Sequence, residues 1–238
     1  MTEPSIVTRN AWLENRMRLL EMEKEFTRQR DRLSAARREL PMVRLETDYH
    51  FETESGPSGL AGLFAGKRQL VVYHFMFGAD WKEGCPSCSF WADSFDGTDI
   101  HLAARDTAFI CISNAPLDTL LAYRERMGWR FRWASAAGSD FGRDFGVTFR
   151  PGETPIAEGY NYSGKPAQEE MPGISVFYRL DDGGIAHAYS TYGRGIDIVN
   201  AAYNLLDLTP NGRHEDDLPW PMAWLRRHDS YGEQKVTA

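Results

Sequence analysis

Apolar and polar positions run along this chain in two rhythms. From residue 6 to 40, Trp12, Leu13, Met17, Leu20, Phe26, Leu33 and Leu40 recur at roughly helical spacing among many Arg and Glu. Pro41 stops the pattern. The spacing predicts one long amphipathic helix, either packed on its own domain or serving as a dimerisation arm that would make the chain a homodimer.

Beyond Pro41 the rhythm changes. "MVRLETDYHFET" holds two short alternating runs, "ESGPSG" reads as a turn cluster, and "LAGLFAGK" as a short helical turn. "QLVVYHFMF" (69–77) is a continuous β-branched and aromatic run, as expected of a fully buried central strand. "CSFWADSFDG" and "IHLAARD" follow as helix with a break at Gly97, and "TAFICIS" (107–113) as a second buried strand. "APLDTLLAYRERMGW" predicts a helix capped by Asn114 and ending near Gly128. "RFRWAS" (130–135) suits a strand, and "GSDFGRDFGV" a short helix capped by Ser139.

Residues 148–172 form a Pro- and Gly-rich stretch long enough to suggest a functional loop. "GISVFYRL" and "IAHAYST" flank "DDGG", a strong hairpin signal. "GIDIVNAAYNLLDL" closes the pattern as a helix, followed by a polar tail with a few apolar anchors. Strands alternating with helices, then a hairpin, predict a three-layer α/β sandwich with a mixed sheet. The expected organisation is a helical extension over 1–41, a domain over 42–210, and a tail over 211–238 packing on that domain.

Composition narrows the function classes. The 238 residues are 42% hydrophobic and 13% aromatic, which suits a packed core. A net charge of −7 gives no electrostatic case for nucleic acid or an anionic membrane surface. No apolar run approaches the roughly 18 residues of a membrane span. The first residues lack the apolar core of a secretory signal, so the expected location is the cytoplasm. No glycine-rich phosphate-binding pattern occurs, so no nucleotide or other organic cofactor is implied.

The chain has three cysteines, and two stand close together in "GADWKEGCPSCSFW" as Cys85-Pro86-Ser87-Cys88. Read from the residues, the pair has four uses open to it: a redox dithiol, half of a metal site, a peroxide-attacking thiol, or two buried small side chains. Its place just past the 69–77 strand puts Cys85 at a helix start. Unpaired N–H groups and the helix dipole favour a thiolate there. Cys85 would then be the exposed nucleophile and Cys88, one turn on, the resolving thiol. Pro86 suits the first helical turn. Asp80 and Glu83 add negative charge that should raise the thiol pKa against the dipole. A metal site needs about four ligands, and one C-x-x-C supplies two, with His74 or a tail histidine the remaining candidates. No metal is therefore expected at the site.

The order of elements, with C-x-x-C after the first core strand, resembles the thioredoxin-like fold. "LAGLFAGKRQLVVYHF", "FRWASAAGSDFGRDFGV" and "PGISVFYRLDDGGIAHAYS" look like corresponding segments of peroxiredoxins and related thiol reductases. More closely, residues 10–230 resemble the bacterial family DUF899. The motifs that carry this are "YHFMFGADWKEGCPSCSFWADSFDG", "MGWRFRWASAAGSDFGRDFGV", "PGISVFY", "STYGRG" and "YNLLDLTPNGR". The resemblance implies a dithiol-disulfide oxidoreductase acting on a protein or small-molecule thiol or disulfide. It implies a substrate groove at Trp81, Pro86, Ser87, Met171 and Pro172, with Pro172 as a cis-proline facing the cysteines. Trp81 resembles the tryptophan before the thioredoxin cysteines, at a different spacing. Lys82 stands three before Cys85, where a peroxiredoxin carries a hydroxyl residue, which argues against peroxidase chemistry.

Other residues have a plainer reading beside a functional one. Cys111, mid-strand in "FICIS", reads as a buried inert thiol. His74 is either a satisfied core histidine or a polar group lining the dithiol pocket, and His187 reads as core or edge. "RHEDD" (213–217) and "RRHD" (226–229) read as a solvated charged tail or a weak metal site. Tyr160 and Tyr162 could cover the pocket as part of a lid.

Overall fold

The computed structural model describes residues 5–150, 159–162, 166 and 168–233. The chain divides into two compact units, 1–41 and 42–238. The first is one helix, α1 (Arg9–Glu39), whose N-cap Thr8 accepts a hydrogen bond from the Ala11 N–H. None of its residues is buried, and Trp12, Leu13, Met17, Leu19, Met22, Phe26 and Leu33 are all exposed.

The second unit contains β1 (Val43–Arg44), β2 (His50–Thr53), β3 (Gly56–Gly59), α2 (Leu60–Leu63), β4 (Gln69–His74), α3 (Pro86–Ala92), α4 (Thr98–Ala103) and β5 (Thr107–Ser113). There follow α5 (Leu117–Arg126), β6 (Trp133–Ser135), α6 (Phe141–Asp144), β7 (Gly173–Arg179), β8 (Ile185–Tyr192) and α7 (Ala201–Leu206), with 3-10 turns at Gly193–Val199 and His228–Glu233. The described strands form one eight-stranded sheet in the order β1-β8-β7-β4-β5-β6-β2-β3.

β4, β5 and β6 run parallel, while β7 is antiparallel to β4 and β8 to β7. A parallel β-α-β unit closed by an antiparallel hairpin is the thioredoxin-like arrangement, here extended by short strands at both edges. β4 sits between β5 and β7, buried on both sides, as its unbroken apolar run requires. Its side chains alternate between two cores. Tyr73 and Phe75 enter one core with Cys88, Trp91, Leu120, Tyr123 and Trp133. Leu70 and Val72 enter the other with Leu60, Leu63, Phe141, Phe145 and Phe177. Helices α3 and α5 thus lie on one face of the sheet, and α2 and α6 on the opposite face. That is a three-layer α/β sandwich.

Several local expectations change. "GPSG" is not all turn: Gly56–Gly59 pairs with β2 as an edge strand, where Pro57 removes no central hydrogen bond. α5 begins at Leu117 with Pro116 at its cap, because Asn114 turns its side chain to Thr148 and Glu170 instead. α6 is capped by Asp140, while Ser139 Oγ accepts from the Phe141 N–H. The C-terminal helix splits into a 3-10 turn and α7, because the Asn200 side chain caps a fresh start at the Tyr203 N–H. Of the 148–172 loop, 151–158, 163–165 and 167 lie outside the described residues.

Candidate functional site

The site grows from the end of β4. One residue beyond Phe75, the Met76 carbonyl accepts from the Cys85 N–H at 3.1 Å, and the Met76 N–H meets Cys88 Sγ at 3.4 Å. The strand end thus holds both cysteines, and the loop 77–84 leaves and returns to it. Cys85 is the N-cap of α3, Pro86 its first residue, and Cys88 lies one turn inside. Gly84 lets this return pack closely. A Cβ there would stand 2.6 Å from Phe75 Cε1 and 2.9 Å from Tyr123 Cε1.

The two thiols sit in different environments. Both are unbridged; Cys85 is half-buried and Cys88 is 1% exposed. The Cys88 side chain donates to Cys85 sulfur, and the Ser87 and Cys88 backbone N–H groups and the Ser87 hydroxyl add to it. Against the cost of burial, these donors lower the Cys85 pKa to about 6. Burial first, and the neighbouring Cys85 sulfur next, push the Cys88 thiol well up. Cys111 is fully buried, and desolvation alone raises it. It is placed as an inert core thiol.

A chain of donors fixes the backbone at Cys85. Ser89 Oγ donates to the Cys85 carbonyl at 2.9 Å, so the Tyr123 hydroxyl, 2.8 Å away, donates to Ser89 Oγ. Arg227 Nε then donates to the Tyr123 oxygen at 2.8 Å. A second nitrogen of Arg227 donates to the Gly84 carbonyl at 2.8 Å, and a third meets Glu83 at 3.0 Å. Arg126 also pairs with Glu83 and with Asp229. The expected thiol-raising effect of Glu83 is therefore met by two guanidinium groups.

Met76, Ser89, Tyr123 and Arg227 were all missed in the sequence. Nothing local marks Arg227, which lies 143 positions from Gly84. The tail is accordingly not a solvated charged strand. Glu215 accepts from the Tyr203 hydroxyl, the Trp224 indole and the Met222 N–H, and His228 Nδ1 lies 2.7 Å from Asp93.

The sequence pattern of the family described as "Bacterial protein of unknown function (DUF899)" matches residues 1–231. The chain belongs to the DUF899 family. No curated protein matches it.

Among solved structures, this DUF899 chain is similar to the peroxidoxin BcpB of Mycobacterium tuberculosis, with 15% identity, 68% of this chain and 93% of that one covered, and a TM-score of 0.46. A PrxQ mutant of Xylella fastidiosa gives 11% identity, 70% and 95% coverage, and a TM-score of 0.43. A candidate thiol-disulfide oxidoreductase of Bacteroides vulgatus gives 15%, 68% and 96%, and 0.39.

In this DUF899 protein the remaining sequence-predicted residues divide. Ser87 acts on Cys85 directly. Trp81 lies in the loop before Cys85, folded back over Gly78, and is 37% exposed. Pro172 does not have the expected conformation: no peptide bond among the described residues is cis. The trans form is the lower-energy state of an X–Pro bond, and Pro172 holds it while its carbonyl accepts from the Tyr160 hydroxyl at 2.8 Å. Met171 bonds through its N–H to the Val147 carbonyl.

His74 does not line the dithiol pocket. With a side-chain period of two, it falls on the opposite face of β4 from Tyr73 and Phe75. It sits by Phe141 and Phe145, with Nε2 2.8 Å from Ser175 Oγ. Ser175 continues through Ser190 to His187, and desolvation lowers the His74 pKa to about 3. It is a satisfied core histidine. Tyr160 is buried and Tyr162 exposed; the rest of the expected lid lies outside the described residues. Among the described residues, no group of three or more His, Cys, Asp or Glu could hold a metal ion. No described helix is long and apolar enough to cross a membrane.

Proposed function

We propose that this chain is a thiol-disulfide oxidoreductase with Cys85 as nucleophile and Cys88 as resolving thiol. One observation carries the reading: the two sulfurs are held unequally, Cys85 only partly buried and favoured as thiolate, Cys88 fully buried and favoured as thiol. That asymmetry orders the two steps. The Cys85 thiolate attacks one sulfur of a substrate disulfide; the substrate S–S bond breaks and its other sulfur leaves as a thiolate. Cys88 gives up its proton and attacks Cys85 Sγ, breaking the mixed disulfide and releasing the second substrate thiol. The protein is left with a Cys85–Cys88 disulfide, having passed two electrons to the substrate.

The test follows both steps in full-length protein. Reduced protein mixed with hydroxyethyl disulfide should form an intramolecular disulfide, read by mass spectrometry. Cys88→Ser should trap the mixed disulfide on Cys85, and Cys85→Ser should stop the reaction. Unchanged exchange in Cys85→Ser, or no Cys85–Cys88 disulfide in any thiol buffer, would sink the proposal and leave a non-catalytic binding module. Consumption of hydrogen peroxide faster than disulfide would move the reading to a thiol peroxidase.

A further inference from the structure

We propose that α1 pairs with α1 of a second copy of this chain as a parallel, two-stranded coiled coil. The pairing concerns the 1–41 unit alone and stands apart from the dithiol reading. Trp12, Leu19, Phe26, Leu33 and Leu40 follow one another at a constant interval of seven residues. They run the length of α1 to its C-cap, and each is at least 44% exposed. With about 3.6 residues per turn, a seven-residue repeat returns to nearly the same face of a helix. Held over four heptads with charged flanks, it marks a coiled-coil seam. The line one position on does not persist, because Leu13 and Leu20 give way to Thr27 and Ser34. The first line therefore supplies the a positions, and Asn15, Met22, Gln29 and Ala36 stand at d.

Two features select a second copy as the partner and fix its direction. In a parallel, in-register pair each core residue meets its own counterpart. Asn15 then faces Asn15, and Gln29 faces Gln29. Each gives one amide hydrogen to its own helix, to the Ala11 carbonyl and the Glu25 carboxylate, and keeps an amide oxygen and a second hydrogen for the other copy. In a fully overlapped antiparallel pair, a meets d instead. Asn15 would be buried against Leu33 and Gln29 against Leu19, leaving each amide unpaired at a cost in free energy. The flanking charges agree. Parallel helices set Arg18 against Glu23 and Glu25 against Arg30 of the other copy, each twice by symmetry, and only Arg32 with Arg37 is like-charged. The antiparallel overlap sets Arg18 against Arg32, Arg16 against Arg30, and Glu23 and Glu25 each against its own counterpart. Exposed ion pairs contribute little, so the apolar seam supplies the strength and the charges supply the direction.

Sedimentation of the full-length protein in reducing buffer, where no intermolecular disulfide forms, reads the assembly. The wild type should be a dimer. Phe26→Glu puts a charge in the seam and should weaken the dimer about a hundredfold or more. Phe26 is 64% exposed, so the variant should keep the near-UV circular dichroism of the folded chain. Arg18→Glu tests the direction. In the parallel pair it turns two attractions into repulsions and should raise the dimer Kd about tenfold. Adding Glu23→Arg should restore the Kd to within about threefold of wild type. In the antiparallel pair the same Arg18→Glu change removes the Arg18–Arg32 repulsion and tightens the dimer. A wild type that is not a dimer, a dimer that Phe26→Glu leaves intact, or one that Arg18→Glu tightens or leaves unchanged would overturn the proposal.

Discussion

Replacing Cys88 with alanine removes the largest influence that holds the Cys85 thiol down, the hydrogen bond from the neighbouring side chain. A charge-assisted hydrogen bond contributes about 1.5–3 kcal/mol, and one pH unit corresponds to about 1.4 kcal/mol. The Cys85 midpoint should therefore rise from about 6 to about 7–8. The Ser87 and Cys88 backbone donors and the Ser87 hydroxyl remain and keep it below its ordinary value. At pH 6.5 the thiolate fraction would fall about 3- to 25-fold. Iodoacetamide alkylation of Cys85, followed by mass spectrometry from pH 4 to 10, reads the midpoint directly. A second signature accompanies it. Thiolates of higher pKa are intrinsically more nucleophilic, so the variant's plateau rate at high pH should exceed the wild-type plateau by about 2.5- to 10-fold. A wild-type midpoint near the ordinary cysteine value, or a midpoint that Cys88→Ala leaves in place, would refute the reasoning.

Three further outcomes follow from contacts around the site. His74 has a folded pKa of about 3 against an ordinary value of 6.5, so between those values the unfolded chain binds more protons. Its contribution is complete above pH 6.5 and is lost as pH falls, about 2 kcal/mol by pH 5; urea midpoints at pH 7 and 5 should show the loss, and His74→Gln should shrink it, His187 adding a smaller shift in the same direction. An equal loss in His74→Gln would count against the assignment. Gly84→Ala forces a methyl group into the Phe75 and Tyr123 rings and should cost about 1–3 kcal/mol of unfolding free energy; a neutral result would mean the loop is not held as described. Arg227→Ala leaves the hydroxyl of the buried Tyr123 and the Gly84 carbonyl without their donor. It should lower stability by about 1–3 kcal/mol while moving the Cys85 alkylation midpoint by less than about half a pH unit, since no Arg227 contact reaches the sulfur; a larger move would make it part of the thiolate's electrostatics.

Which parts of this were legible depended on the range of the forces involved. The β4 and β5 strands were readable because burial on both faces demands an unbroken apolar run, and the β7–β8 hairpin because "DDGG" is local turn chemistry; Gly183 takes φ +86° there. Cys85 and Cys88 were readable as a pair because strand end, Pro86 and cysteine spacing are all local. The edge strand at "GPSG" was misread because its turn-forming residues say nothing about the partner that makes them a strand. The face His74 takes was left open between core and pocket because a strand buried on both faces carries no alternation to show which way a residue points.

By itself, the sequence determined that an apolar strand would be followed by a helix-start dithiol in an α/β sandwich, because local propensity and burial period act within a few residues. The tertiary structure alone decided how unequal the surroundings of the two sulfurs are, since that depends on donors converging on Cys85 and on the depth of Cys88. It alone brought Arg227 to the Gly84 carbonyl and joined Asn114 to Thr148 and Glu170. Such contacts are made by the return of distant segments to the same point in space, and a hydrogen bond leaves no mark in the sequence on either side of so long a gap.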